Sequence, residues 1–480
     1  EVSGRYDGSS KFPTNSKWGF FPSASVAWRV SEEPWMKWSE EWLDNAKIRL
    51  SAGSMGNGNV DPYSYTSEMT VATASNIVLG GGLPSYTTVG STVPVSLTWE
   101  KSTTYDVGLD LDFFNNRLSV SGDYYRRYTT DMYTPSISLP SVYGTTSPKG
   151  NNAELRTTGW ELSLTWRDSF KLGGKPFDYS IKAMVWDNRT VVTKYENATR
   201  SLGTLKGYIQ NGGSPSDFYE GMELGEMWGY TVAGLFRDQA DIDSSATHDF
   251  TQASDKVTRP GQVKIADLDH NGNIDPGAFT ADDHGDLSII GNINPHYMFG
   301  VNLAANWNGI GLSVFLQGVM KRDWYPSPDS GYFWGKYARP FMWVLGIHNY
   351  TDDMYSKEKN NWDTAYWPRM TTYQSNSSYS WTKLLEIPNT RYKQNAAYLR
   401  VKNIQVDYTF PKALCQKIRL GGLKIYLSGE NLFTFTPLHK YAPNFDPEAL
   451  GYDTDFSSTA GDGYTYPVLK SVTLGVNITF

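Results

Sequence analysis

Several features that define other protein classes are missing from this sequence or scarce in it. Its single cysteine, Cys415, excludes an intrachain disulfide framework. No run of about 18 apolar residues occurs, so no transmembrane helix is expected. The 43 basic and 50 acidic residues give a net charge of -7, and the chain has no basic stripe of the kind that binds nucleic acid.

Signatures of catalysis are missing as well. The six histidines show no zinc-binding spacing, and the chain has neither a Gly-Xaa-Ser-Xaa-Gly element nor a phosphate-binding loop. The carboxylate pairs Asp282-Asp283 and Asp352-Asp353 lie in predicted loops, where solvent exposure explains neighbouring acidic residues. The sequence therefore does not predict an enzyme.

Aromatic residues, by contrast, are abundant. The chain has 32 Tyr, 17 Trp and 21 Phe, together 15% of its residues, yet its mean hydropathy of -0.47 is polar. A membrane β-barrel explains this combination, because each strand has a lipid-facing and a polar side, and Tyr and Trp collect at the two interfaces. A barrel is also the remaining structure that can span a bilayer without an apolar helix.

Strict alternation of apolar and polar residues predicts the strands. Residues 472–480 alternate throughout, and residues 105–113 do so with Asp106, Asp110 and Asp112 on the second face, which fits a polar lumen better than a packed core. The same pattern recurs at residues 160–166, 177–185, 297–307, 310–316 and 423–427. A slip in phase at Lys402 and Asn403 predicts a β-bulge.

Short and long connections alternate along the chain, as periplasmic turns and extracellular loops do in outer-membrane barrels. The short ones are Asn115-Asn116, Asn308-Gly309, 168–176 and 411–419, with a short helix expected in 33–45 on the same side. The long ones are 55–102, 132–153, 238–295, 321–397 and 434–467. We therefore predict an all-β, transmembrane antiparallel β-barrel with roughly 14 strands in this chain, including strands near 1–8 and 200–212. A soluble β-sandwich array or propeller is the alternative.

Particular motifs resemble those of one family. They are RYDGSSKF at 5–12, WGFFPS at 18–23, AWRVSEE at 27–33, KIRLS at 47–51 with GNGN at 56–59, TTYDVGLD at 103–110, YLRVKNI at 398–404, SGENLF at 428–433 and the terminal strand. They span nearly the whole chain, which resembles the SusC/RagA-type TonB-dependent transporters of Bacteroidetes.

The resemblance implies that residues 1–480 are the C-terminal portion of a plugged barrel of about 22 strands. Members of the family also carry a signal sequence, an extension domain, a TonB box, a plug domain and earlier strands, which this sequence does not contain. The chain would then be processed or be a piece of a longer protein.

The resemblance also implies a function in the outer membrane: TonB-dependent import of oligosaccharides with a SusD-like surface lipoprotein as lid. Oligopeptides are the alternative substrate, and a dimer of transporter–lipoprotein pairs is a further expectation. Outer-membrane lipid is an implied partner, and nucleic acid is not. Two rival hypotheses are a passive porin or adhesion barrel, and a secreted β-rich carbohydrate-binding protein or glycosidase.

The sharpest chemical motif is the acidic loop DLDHNGNID, residues 267–275. It follows the calcium loop of an EF-hand, with Gly272 at the sharp turn and oxygen donors at alternate positions: Asp267, Asp269, Asn271, Asn273 and Asp275. The last EF-hand position is Ala278 instead of glutamate, so Asp282, Asp283 or Asp286 would have to complete the ligands. A calcium site and a metal-free turn closed by Asx hydrogen bonds are the two hypotheses.

The long segment 321–397 is rich in aromatic residues, which could stack on a substrate, contact the lid protein or pack internally. The candidates for substrate or lid contact are Trp324, Tyr325, Tyr332, Phe333, Trp334 and Trp343. A last candidate is the terminal Phe480, which, as the resemblance implies, is a signal for the outer-membrane assembly machinery. The alternative for Phe480 is an aromatic residue of the membrane interface.

Overall fold

The computed structural model describes residues 1–66, 69–90, 97–135, 149–202, 218–248, 258–326, 333, 353–369, 388–450 and 468–480. Their strands are β1 (Val2–Gly8), β2 (Trp18–Arg29), β3 (Leu43–Asn57), β4 (Met69–Thr73), β5 (Ser85–Val89), β6 (Glu100–Phe113), β7 (Leu118–Pro135), β8 (Lys149–Leu172), β9 (Lys175–Lys194), β10 (Glu226–Tyr230), β11 (Val232–Leu235), β12 (Val263–Ile265), β13 (Leu287–Asn292), β14 (His296–Trp307), β15 (Ile310–Lys321), β16 (Asp323–Trp324), β17 (Gln394–Asn395), β18 (Tyr398–Thr409), β19 (Gly422–Phe435) and β20 (Ser471–Thr479). The helices are α1 (Gln239–Asp243) and α2 (Lys412–Lys417), with 3-10 turns at Val30–Glu32, Pro34–Ser39 and Pro437–Lys440. Within these ranges no helix is both long and apolar enough to cross a membrane.

One antiparallel sheet of twelve strands dominates the described part of the chain. Its order is β1-β2-β3-β6-β7-β8-β9-β14-β15-β18-β19-β20. The strands of this sheet pair in the order in which they occur along the chain, and the strands of the smaller sheets lie in the connections between them. The all-β prediction is confirmed. The strand expected near 1–8 is β1, whereas residues 203–212 lie outside the described ranges, and the sheet has twelve strands where roughly 14 were predicted.

The two faces of the sheet differ as the alternation predicted. On one face, here called the apolar face, large aliphatic side chains are exposed: Val26, Leu50, Val107, Leu109, Leu164, Ile181, Leu312, Val406, Leu427 and Leu474. The ladder registers place them in rows, for example Val406 opposite Leu427 and Leu427 opposite Leu474. The other face, here called the polar face, carries Asp106, Asp110 and Asp123. Apolar residues exposed in continuous rows are what a lipid-facing surface requires.

Short connections lie at one end of the sheet, as predicted. Asn308 and Gly309 form a two-residue hairpin with φ of 51° and 88°, the left-handed values of a type I′ turn. The connection between β8 and β9 is shorter than the predicted 168–176, because the two strands pair up to Leu172 and Lys175 and leave only two glycines in the turn. Residues 33–45 contain a 3-10 turn, Pro34–Ser39, where a short helix was expected.

The bulge predicted at Lys402 and Asn403 is confirmed. The pairing of β18 with β19 shifts between Val401 and Asn403, and the pairing with β15 shifts between Phe315 and Leu316, at the same level. The bulge adds one residue to β18 and shifts the period-2 pattern by one position. Arg400 before the bulge and Gln405 after it therefore both belong to the polar face.

The long connections at the other end of the sheet build a hydrophobic core of their own. This loop core joins side chains from the segments that follow β9, β15 and β19, including Tyr230, Leu287, Trp324, Trp367, Tyr392, Leu438 and Phe445. The two-stranded sheets β10–β13, β11–β12 and β16–β17 lie within these segments. The loops are therefore packed structures, which can hold side chains in fixed positions above the sheet.

Candidate functional site

The polar face carries an ion-pair network that crosses three strands. Arg49 on β3 binds Asp110 on β6 with Nε–Oδ2 and Nη2–Oδ1 distances of 2.8 and 3.1 Å. Its Nη2 also lies 2.8 Å from Oδ1 of Asp123 on β7. Ser121 donates to Asp110 at 2.8 Å, and Lys47 lies 3.6 Å from it. Charged groups in this number need water or partners, so this face borders a polar lumen.

A second network fixes a loop segment on the polar face. Arg400 on β18 is only 3% exposed in its side chain and pairs with Asp446 and Glu448, which follow the 3-10 turn Pro437–Lys440. Lys402 adds a contact of 2.8 Å to Glu448. Arg322, just beyond β15, donates to the carbonyl oxygens of Pro447 and Leu450 at 3.1 and 2.7 Å. Residues 446–450 are therefore clamped to the strands at two points.

The environment of Asp446 favours its charged form. Burial alone would raise its pKa, but hydrogen bonds from Arg400 and from the backbone amides of Glu448 and Val468 outweigh burial, so the pKa is lowered. Burial lowers the pKa of Arg322, whose guanidinium is satisfied by backbone carbonyls. The clamp is thus a buried, hydrogen-bonded ion cluster.

In the acidic loop the structure brings together three carboxylates: Asp267, Asp269 and Asp286. One oxygen from each lies within 4.8 Å of the other two. Asp286 is thus the one of the three candidates that completes the set, whereas Asp282 pairs with Arg200. Gly272 has a φ of 84°, as the sharp turn of a calcium loop requires.

The same loop is braced by hydrogen bonds. The backbone amides of Asn271, Asn273 and Gly277 donate to Asp269, Asn271 and Asp275 at 3.0, 2.7 and 2.8 Å, each two residues back. These are Asx turns, the closure expected of a metal-free loop. The amide oxygen of Asn271 accepts the hydrogen bond from the backbone amide of Asn273. Of the five predicted ligands, Asp267 and Asp269 are the two that lie in the carboxylate cluster.

Two observations mark the cluster as electrostatically unsatisfied. Oδ1 of Asp267 is buried and has no hydrogen-bond partner. Asp286 is fully buried, and burial, opposed by amide hydrogen bonds and reinforced by the charges of Asp269 and Asp267, raises its pKa. An oxygen-lined set of this kind fits a hard divalent cation.

The aromatic residues predicted to contact substrate or lid are placed differently. Trp324, Tyr325 and Phe333 are buried in the loop core, where Trp324 packs on Phe445 with ring centroids 5.0 Å apart. The Tyr325 hydroxyl accepts a hydrogen bond of 2.8 Å from Asn389. In this structure the three side chains are enclosed by their own loops, and their contact with a substrate or a lid protein stays a prediction. Tyr332, Trp334 and Trp343 lie outside the described residues.

Phe480 follows the last residue of β20 and is 94% exposed. Its neighbours on the apolar face, Val472, Leu474, Val476 and Ile478, are exposed as well. The terminal side chain is therefore free of contacts that would hide it from another protein or from lipid.

An antiparallel sheet with an apolar outer surface, a charged inner surface and packed loops at one end defines a large outer-membrane β-barrel. The chain belongs to the family of TonB dependent receptor-like β-barrels, whose model matches residues 1–261. It is similar to TonB-dependent receptor P3 of Formosa agariphila, 28% identical over 487 residues that cover 99% of this chain and 43% of the relative. TonB-dependent receptor SusC of Bacteroides thetaiotaomicron is 25% identical over 492 residues, 99% of this chain and 41% of the relative.

Solved structures agree on the fold. The RagAB peptide transporter matches with a TM-score of 0.67 and 21% identity, covering all of this chain and 45% of the solved chain. The RagAB peptide importer in its "open-open" state matches with a TM-score of 0.68 and 20% identity. The chain spans less than half the length of the relatives it matches. The predicted SusC/RagA-type barrel and its outer-membrane location are thereby confirmed.

Proposed function

We propose that this chain forms the C-terminal part of the barrel wall of a TonB-dependent importer for oligosaccharides. The observation that carries the proposal is the network of Arg49, Asp110 and Asp123, which lines one face with charge while the opposite face suits lipid. A polar wall of this kind borders a path that hydrated solutes can take. The loop core and the clamped segment 446–450 would shape the entrance to that path.

The importer also needs parts outside this chain. The earlier strands and a plug domain would close the barrel of about 22 strands, because a sheet edge left open in lipid has unsatisfied backbone groups. A SusD-like surface lipoprotein would cover the loops, and TonB would act on the plug. Two transporter–lipoprotein pairs would form the assembly.

Substrate class separates the two leading versions of this proposal. The resemblance of the sequence motifs to the SusC/RagA type implies an oligosaccharide, whereas similarity to a structure described as a peptide transporter favours an oligopeptide. A passive porin or adhesion barrel would need neither plug nor TonB. The ion pairs of the polar face could serve any of these solutes, so the choice rests on binding data.

The test is binding and uptake by the full-length receptor, purified from membranes with its co-purifying chains. We expect a lipoprotein in the preparation and calorimetric binding of oligosaccharides, with uptake in cells that stops when the proton gradient is dissipated. Uptake that survives loss of the gradient would support a passive pore instead. Binding of peptides alone would replace the oligosaccharide by the oligopeptide.

We further propose that the acidic loop binds Ca²⁺ through Asp267, Asp269 and Asp286. The unpartnered Oδ1 of Asp267 supports this, because a buried carboxylate oxygen without a donor is costly. Asn271, Asn273 and Asp275 would stay close enough to contribute after a side-chain or backbone adjustment. The ion would neutralise the carboxylates and order the loop, without a role in chemistry.

Finally, we propose that Phe480 is an assembly signal. Its exposure at the end of the terminal strand supports recognition by another protein. Replacing Phe480 by Ala should lower the amount of folded receptor in the outer membrane. The control Val468→Ala, which lies just before β20, should not lower it. Equal amounts of folded receptor for both variants would assign Phe480 to the membrane interface instead.

A further inference from the structure

Three arginines converge on the apolar face, where charge is otherwise rare. Arg126 on β7 lies opposite Thr158 on β8, and Thr158 lies opposite Arg189 on β9. Arg156 is two residues from Thr158 on the same face of β8. Because adjacent strands are about 4.8 Å apart, the backbones of Arg126 and Arg189 are about 10 Å apart, within reach of one shared ligand. All three side chains are exposed.

The patch lies at the border between the lipid-facing band and the loops. Along β8 the apolar face reads Trp166, Leu164, Leu162, Trp160, Thr158 and then Arg156. Towards the loop end the strand continues through Glu154, which pairs with Lys194 of β9 at 3.7 Å, to Lys149. Tyr124 and Trp160, which are opposite each other, lie between the arginines and the aliphatic band, and Tyr105 lies beside Arg126 at the same level. Tyr and Trp mark the level of lipid headgroups. The arginines are therefore at headgroup level, at the end of the sheet that carries the long loops.

The patch keeps most of its positive charge. Arg189 is 66% exposed and forms an ion pair with Glu223, whose two carboxylate oxygens lie 3.1 Å from Nε of Arg189. The nearby carboxylate of Asp187 is occupied by His296, at 2.8 Å, and by the backbone of Tyr297. Within the described part of the chain, neither Arg126 nor Arg156 forms an ion pair with a carboxylate; Arg126 contacts the hydroxyl of Tyr124 at 3.5 Å.

We propose that Arg126, Arg156 and Arg189 bind the phosphate groups of a glycolipid in the outer leaflet. Guanidinium groups bind phosphate with paired, charge-assisted hydrogen bonds. The ligand is a lipid because the patch is continuous with the lipid-facing rows and faces away from the lumen. The net charge of the chain is negative, so the protein as a whole does not attract anions. Binding of phosphate at this place therefore depends on the local arginines. This site is separate from the solute path of the proposed importer.

The test compares two lipids on the full-length receptor by native mass spectrometry: bisphosphorylated lipid A and the same lipid after removal of its phosphates. The unmodified receptor should bind the phosphorylated lipid roughly tenfold more tightly. The double variant Arg126→Gln/Arg156→Gln should lose this preference. The matched control is Arg127→Gln, the next residue on β7, which lies on the polar face and contacts Thr104 at 3.3 Å; it should keep the preference.

Three results would overturn the proposal: a preference that survives in the double variant, an equal loss in the Arg127→Gln control, or displacement of the lipid by excess inorganic phosphate. Folding is checked by the resistance of the barrel to detergent before heating. If the double variant does not fold, the single variant Arg156→Gln gives the same comparison, because the side chain of Arg156 forms no hydrogen bond or ion pair with the other described residues.

Discussion

Arg49 and Asp123 form an ion pair although they are not on adjacent strands. Arg49 is opposite Gly108 on β6, and Gly108 is opposite Asp123 on β7. The two side chains meet over Gly108, where a Cβ atom would lie 2.5 Å from Oδ1 of Asp123 and 2.6 Å from Cζ of Arg49. Because Gly108 has no side chain, Arg49 and Asp123 can meet across β6, and the charge network of the polar face extends over three strands.

Replacing Gly108 by Ala should break this contact. The atoms that a methyl group would meet are the ends of flexible side chains, so the backbone can stay in place and the cost should be at most about 1 kcal/mol of unfolding free energy. Chemical denaturation at low and high salt would measure it, with a smaller salt dependence expected in the variant. Gly122→Ala on β7 is the control, because its nearest atoms lie 3.8 Å away. Equal effects of both variants would contradict a role for the gap.

Arg400→Met should release the segment 446–450 from the polar face. Removing one partner of a buried ion cluster leaves Asp446 uncompensated, which typically costs about 3–5 kcal/mol. Hydrogen exchange of residues 437–450 should become much faster, while β14 and β15 stay protected. Lys402→Met is the control, because Glu448 keeps Arg400 as a partner and the effect should be small. Faster exchange throughout the sheet would mean that Arg400 supports the barrel rather than the loop.

Period-2 alternation was enough to predict most strands of the main sheet, because each strand separates lipid from a polar lumen. It could not predict the meeting of Arg49 and Asp123, which depends on the registers of two ladders. The acidic residues on one face of 105–113 were the available sequence signal of such a network, because Asp110 needs a basic partner on a neighbouring strand. Sequence did not reveal the pairing of Arg400 with Asp446 and Glu448, because Arg400 lies 46 residues before Asp446.

The loops were harder to predict for a physical reason. An aromatic residue in a long loop can pack or face a ligand, and no periodicity distinguishes the two. Trp324, Tyr325 and Phe333 turned out to be part of the loop core. In the acidic loop, by contrast, spacing carried information, and Asp286 was identified as a possible ligand eleven residues after Asp275.

Stability of the loop core should depend on His248. Its Nδ1 donates to the carbonyl of Ala246 at 3.0 Å, and its Nε2 accepts from the amide of Ile265 at 2.9 Å, so the ring is neutral. Burial, together with the charge of Lys264, lowers the pKa of His248 to about 4. Because the unfolded state binds the proton more readily, this stabilisation is complete above pH of about 6.5 and is lost as the pH falls towards 4.

The loss should reach at most about 3 kcal/mol. Exchange of the Ile265 amide, followed from neutral to acidic pH, would measure it. His248→Gln offers an amide oxygen in place of Nε2 and does not titrate, so its profile should be flatter over this range. A variant with an unchanged profile would mean that another group causes the pH dependence.

Calcium should protect the acidic loop. Adding Ca²⁺ to chelator-treated receptor should slow hydrogen exchange in residues 267–286, and Asp267→Asn should weaken binding, measured by calorimetry, by roughly tenfold. Mg²⁺ should be less effective, because it demands stricter octahedral geometry. Asp282→Asn is the control, since Asp282 pairs with Arg200 instead. Protection that is the same with and without Ca²⁺ would mean that Asx turns alone close the loop.

The two faces of β20 should respond oppositely to charge. Leu474 is 73% exposed on the apolar face, whereas Thr473 is on the polar face beside Ser428 of β19. Leu474→Arg should destabilise the barrel by about 2–4 kcal/mol if the side chain lies near the bilayer midplane, because a guanidinium there loses its hydration. Thr473→Arg should be tolerated, since water or acidic residues of the lumen can solvate it. Folded receptor in membranes and its unfolding free energy in lipid vesicles would measure both. If Thr473→Arg were the more damaging change, the assignment of the faces would be reversed, because a side chain on a barrel strand points either to lipid or to the lumen.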